Sequence, residues 1–314
     1  MKIIINQTVV AVVVCLLLTM VVGCQPSNKN KPHGENIFVI HQPKPDEVVD
    51  VNSLDELYQL FKQQHYTQVD WQAGHNEVPR ILFNRVHKGW QETSSKMPVT
   101  TKKDVFFRLM APLILMVNEQ IEQQRIQVKA TSLTDPSLRE VMVEYRVLDK
   151  EQQRPLTQAD KTTLLKRLDI IPPSLALAQA AEESGWATSR FTYEGNAFFG
   201  QWDYSGKGMK PKSQRTELGN YGIARFDSPF DSVKAYATNI NRGHAYQQLR
   251  DARAILRSNG EEISGLVLAK TLDKYSERGQ AYIDSISHMI TYNKLMSMDR
   301  ARLATGPTIL IKTK

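Results

Sequence analysis

Two adjacent carboxylates, Glu182 and Glu183, close the stretch PPSLALAQAAEESG and lead into WATSRFTYEGNAFFG, together residues 172–200. A carboxylate that finishes an apolar helix is partly desolvated, so its pKa rises and it can hold a proton near neutral pH, as a general acid must. Pro172, Pro173 and Ser174 suit a helix start, the serine oxygen being expected to accept an orphan backbone N–H. Leu175 to Ala181 then run almost without polar interruption, which predicts a helix in the middle of a domain rather than on its surface. Residues four apart share a helical face, so Gln179 and Glu183 project together while Glu182 points about 100° away. One glutamate is enough to line a cleft; the competing reading is a solvated pair in a last helical turn. Gly185 is placed to end the helix, and Trp186 offers a broad face of the kind that packs on sugar rings. Gly195-Asn196 with Phe198-Phe199-Gly200 reads as a tight aromatic turn back towards the helix.

The string AQAAEESGWATSRF followed by GNAFFGQW resembles the signature of the glucosaminidase family of bacterial peptidoglycan hydrolases, and with its amino-terminal region the chain is most similar to the Bax subgroup. The resemblance spans roughly residues 155–295 and implies a lysozyme-like fold. In that family the glutamate directly before Ser-Gly-Trp is the catalytic acid, which is Glu183 here. The resemblance places the second cleft carboxylate on Glu217, within Thr216-Glu217-Leu218, and a cleft-closing tyrosine motif on Tyr275 and Tyr282. Tyr275 is expected to be catalytic with Glu183 and Glu217, donating to the N-acetyl group of the substrate or helping to position it. Trp186, Asn196, Phe199 and Tyr282 are the expected substrate-binding residues. Taken without the resemblance, Glu217 reads as a solvated hairpin residue and Tyr275 as a core-edge tyrosine. Lytic transglycosylases share a Glu-Ser element but continue with a Gly-Leu-Met-Gln-like turn, which this chain lacks.

The elements that must position these residues begin after a targeting segment. Residues 1–24 read as a lipoprotein signal peptide: Lys2, an apolar core from Val9 to Val22, then Val21-Val22-Gly23-Cys24, with Cys24 the expected lipidated residue. The alternative is an uncleaved membrane helix. Gln25 after the cysteine leans towards the outer membrane. Cys15 and Cys24 are the two cysteines, so cleavage would leave no thiol for disulfides or catalysis. Residues 25–50, rich in Pro, Asn and Lys, read as a flexible tether. Residues 51–150 read as helical, either a small domain or a prefix to the catalytic one. Within them SLDELYQLFKQQ is a capped amphipathic helix and residues 102–126 a buried one. The catalytic domain is expected over 151–300, with TQADKTTLLKRLDI a capped helix, a small β-lobe over 201–226, and a further helix opened by Ser228-Pro229-Phe230-Asp231. Residues 301–314 read as a tail. The fold class is therefore mainly α with a small β-lobe.

Seven histidines occur without HExxH or CxxC spacing, and no phosphate loop or dinucleotide fingerprint is present, so neither metal nor cofactor is expected. A net charge of +7 would suit nucleic acid in a cytosolic protein. In an exported one the anionic cell wall is the expected partner, with the membrane engaged through Cys24 and the protein a monomer. The expected activity is hydrolysis of β-1,4 bonds after N-acetylglucosamine in peptidoglycan glycan strands. A muramidase or lytic transglycosylase on the same scaffold, and a non-catalytic wall-binding lipoprotein, are the alternatives.

Overall fold

The computed structural model describes residues 38–212, 219 and 221–313. Cys24 and Glu217 lie outside these described residues. In chain order come β1 (Glu47–Asp50), α1 (Leu54–Gln63), α2 (Gln68–Gln72), β2 (Glu77–Val78), β3 (Ile81–Phe83), α3 (Trp90–Lys96), α4 (Val99–Ala130) and α5 (Pro136–Glu144). Next are α6 (Gln158–Arg167), α7 (Pro173–Ser184), α8 (Arg190–Gly195), β4 (Trp202–Asp203), β5 (Gly222–Ile223), α9 (Pro229–Arg242) and α10 (Gln247–Ser258). Last come α11 (Gly265–Ala269), α12 (Gln280–Tyr292), a 3-10 turn over Leu295–Arg300, β6 (Arg302–Leu303) and β7 (Ile309–Lys312). The protein is mainly α, and β4 pairs antiparallel with β5 to make the small β-lobe.

Helix α7 is the hub. Leu175, Leu177, Ala178, Ala180 and Ala181 are each fully buried, and α4, α11, α12 and the 3-10 turn pack round it. The all-round apolar character of its sequence is what lets it occupy this place. Its start is not capped by Ser174. Pro172 holds the N-cap position, and Ser174 is a donor: its N–H and Oγ–H both donate to Asp299, at 2.9 and 2.8 Å. The Gly265 N–H donates to the same carboxylate at 2.9 Å. The sequence expectation failed because a proline cap offers no side-chain acceptor, and the acceptor came from a residue 125 positions away.

The 32-residue helix α4 supports α7 from the side. Asn118 on α4 is buried and clamps the backbone of Ile171, donating from Nδ2 to its carbonyl at 2.7 Å and accepting its N–H at 3.0 Å. That exchange fixes the segment entering α7 without leaving a buried polar group unpaired. One core runs from α1 through α4 and α7 to α12, so residues 51–150 share it with the residues that follow.

The ends of the described chain depart from expectation. Residues 309–312, read as a tail, form the central strand of a parallel three-stranded sheet ordered β1-β7-β3. Residues 47–50, read as the end of a tether, form its edge strand β1. Ile309 and Ile311 are buried, and Leu310 lies on the other face, a period-two pattern too short to stand out in sequence. Among the described residues no helix is long and apolar enough to cross a membrane, and no group of three or more His, Cys, Asp or Glu side chains could hold a metal ion.

Candidate active site

Glu182 and Glu183 leave α7 in different directions, as helical geometry requires. Glu182 accepts from Arg278 Nη1 at 2.6 Å and from Ser285 Oγ at 3.2 Å, an ion pair on the α12 side. Glu183 turns into a cluster of aromatic hydroxyls. Tyr282 Oη donates to Glu183 Oε1 at 2.8 Å, Gln179 Nε2 donates to Tyr282 Oη at 3.0 Å, and Tyr236 Oη donates to Gln179 Oε1 at 2.6 Å. Each link fixes the next: because Tyr282 accepts from the amide, its own proton points at Glu183. Oε1 is thereby an acceptor, and Oε2 is the oxygen left to carry the acidic proton.

Oε2 faces Gly200. That residue has φ +59°, and a Cβ built on it would lie 3.2 Å from Glu183 Oε2. Glycine is needed here twice over, for the left-handed backbone and for the close approach. Burial is the largest influence on the Glu183 carboxyl and pushes its pKa above the ordinary 4.5. The neighbouring Glu182 adds to this, while the Tyr282 hydrogen bond and Arg278 oppose it.

Tyr275 stacks on Tyr282 with ring centroids 5.2 Å apart and donates a long 3.4 Å hydrogen bond to the Phe199 carbonyl. Phe199 is buried and stacks on Tyr236 at 4.0 Å. Tyr236, Phe199, Tyr275 and Tyr282 therefore form a continuous aromatic wall behind Glu183. Asn196 sits at the C-cap of α8 with φ +50°, and its Nδ2 donates to the Phe226 and Asp227 carbonyls. It shapes the turn that brings Phe199 and Gly200 to the acid.

Trp186 is not among these residues. Gly185, Trp186 and Ala187 all have φ between 56° and 62°, and the left-handed turn swings the indole away. The ring packs edge-on against Phe106 and Phe107 of α4, with Lys103 Nζ 5.0 Å from its centroid, and its carbonyl accepts from Trp90 Nε1 at 3.0 Å. Left-handed non-glycine residues cost about 1–3 kcal/mol each, which the packing on α4 offsets. An exposed aromatic surface is supplied instead by Trp202, two residues along the chain from Gly200. Trp202 is 44% exposed, stacks on Tyr221 at 4.8 Å and meets the 65% exposed Tyr204 edge-on. The sequence reading passed over this pair, although Trp-x-Tyr, read as a strand, would put both rings on one face.

The carboxylate in its aromatic wall lies within the part of the chain that matches known proteins. The Glucosaminidase family profile, described as mannosyl-glycoprotein endo-beta-N-acetylglucosaminidase, matches residues 159–295, from α6 through the end of α12. Protein bax of Escherichia coli (strain K12) is 31% identical over 202 residues, covering 62% of this chain and 71% of that protein. No solved structure matches the chain significantly. The buried acid, its tyrosine donor and these similarities together place the chain in the glucosaminidase family, as a Bax-like member.

Proposed function

We propose that the protein is an endo-β-N-acetylglucosaminidase that cuts peptidoglycan glycan strands at the β-1,4 bond after N-acetylglucosamine. The observation that carries this reading is the Glu183 carboxyl, largely buried, held at Oε1 by Tyr282 and facing the glycine Gly200 with Oε2. In the proposed reaction Oε2–H protonates the glycosidic oxygen as the C1–O bond breaks, and the Tyr282 hydrogen bond stabilises the carboxylate that forms. Glu217 is proposed to activate the attacking water or stabilise the oxocarbenium-like transition state; the 2-acetamido group of the substrate is the alternative internal nucleophile. Trp202 and Tyr204 offer a stacking face for a bound sugar ring, the role first expected of Trp186. Cys24 is proposed to carry a lipid anchor that holds a monomer at the periplasmic face of the outer membrane, within reach of the wall.

Product analysis tests the proposal. Digested peptidoglycan, reduced with borohydride and hydrolysed, should show reduced N-acetylglucosamine at the new ends. Reduced N-acetylmuramic acid would identify a muramidase, a 1,6-anhydro end a lytic transglycosylase, and intact strands a wall-binding protein. Labelled fatty acid should enter the wild type and not Cys24→Ser; an unlabelled, soluble wild type would remove the anchor from the account.

A further inference from the structure

Beyond Trp202 a groove of about 620 Å³ runs between α9, the ends of α4 and α5, and Phe38 to Ile40. Its walls carry mixed chemistry. Gln124 is 2% exposed, yet its Oε1 has no hydrogen-bond partner, and Gln201 Oε1 is buried and unpartnered as well. Only three buried side-chain polar atoms among the described residues are in this state, and these two line the same groove. An unmade hydrogen bond on a buried amide oxygen is costly enough that such atoms are rare unless a ligand or water completes them. Arg242, on the same wall, is half-buried and makes no ion pair among the described residues, while Lys234 is paired with Asp231 at 3.0 Å. The site thus offers two amide acceptors without donors, and an Arg242 guanidinium whose charged neighbour on the groove, Glu144, makes no direct ion pair with it. A ligand that completes them needs N–H or ammonium groups, for the amide oxygens and Glu144, together with a carboxylate for Arg242.

Gln201 and Trp202 line the groove, and Gln201 directly follows the glycine that faces Glu183. A glycan strand lying on Trp202 would carry its substituents into it. We infer that this groove is a subsite for the short peptide borne by alternate sugars of the glycan strand, with Arg242 taking a peptide carboxylate and the Gln124 and Gln201 oxygens taking N–H donors. The inference rests on the peptidoglycan reading and deepens it, making the protein selective for peptide-bearing strands.

The test compares glycan strands that retain their peptides with the same strands stripped by an amidase, and adds direct binding of the free stem peptide followed by NMR. The wild type should cut peptide-bearing strands with a kcat/KM about 10-fold above stripped ones, the scale of one charge-assisted hydrogen bond. Arg242→Ala should bring that ratio close to one and weaken peptide binding by a similar factor. Gln124→Leu should lower the ratio while raising the melting temperature, since it removes an unpartnered buried oxygen; a purely structural glutamine would lose stability instead. Equal cutting of both strand types by the wild type, or an unchanged ratio in both variants, overturns the subsite and leaves the Glu183 chemistry standing. If neither strand is cut, the functional reading fails, and saturable peptide binding that Arg242→Ala weakens would still support the groove, while no binding would overturn it.

Discussion

Glu183 owes its character to three neighbours rather than to its own position in the helix. Burial raises the pKa, the Tyr282 hydrogen bond lowers it, and Gly200, having no side chain, lets the turn approach Oε2 closely. Only the protonated acid can donate, so kcat/KM should fall as pH rises through the raised pKa of Glu183. Tyr282→Phe removes a bond that favours the ionised form. In this variant the alkaline limb of the profile should move to higher pH, and kcat should fall about 10-fold with little change in KM, because the lost bond serves the carboxylate formed during reaction. An unmoved limb would mean that Tyr282 only fills space. At this scale the sequence was partly legible. The i, i+4 relation of Gln179 and Glu183 follows from helix geometry, and both side chains indeed meet Tyr282. The fate of Trp186 was not legible, because its direction depends on consecutive left-handed residues that only packing on α4 stabilises.

Helices with local signals lie where composition puts them. Ser53, Thr157 and Ser228 each accept a backbone N–H at the start of α1, α6 and α9, since a cap is written within four residues. The start of α7 follows different rules, as its acceptor, Asp299, comes from the 3-10 turn before β6 and holds both α7 and α11. Asp299→Ala would orphan two backbone N–H groups and a hydroxyl in a largely buried place. A loss of about 2–3 kcal/mol is expected, read as a lower urea midpoint with the slope unchanged, and Asp299→Asn should recover part of it. Stability equal to wild type in the alanine variant would show that α7 needs no such clamp. Long-range caps of this kind leave no periodic trace in the sequence.

Across the whole molecule, the first and last described strands meet: β7 pairs along its length with β1 and β3, joining residue 47 to 309 and residue 81 to 309. A strand of four residues carries too little pattern to be told from a tail, and its partners lie more than 200 positions away, so neither end was legible. Ile311 is buried between these elements. Ile311→Ala should therefore cost about 2–4 kcal/mol despite lying three residues from the end of the sequence. A loss below about 0.5 kcal/mol, the scale of surface changes, would show the strand to be peripheral.

The assignment of the acid is tested most directly by comparing Glu183→Gln with Glu182→Gln in release of reducing ends from purified peptidoglycan, with folding checked by circular dichroism. The two residues are adjacent on one helix, but one faces the tyrosine wall and the other an arginine. Glu183→Gln should stay folded and lose at least about 100-fold of the activity, the usual scale for a general acid, while Glu182→Gln keeps most of it. Full activity in Glu183→Gln, or a collapse confined to Glu182→Gln, would contradict the account.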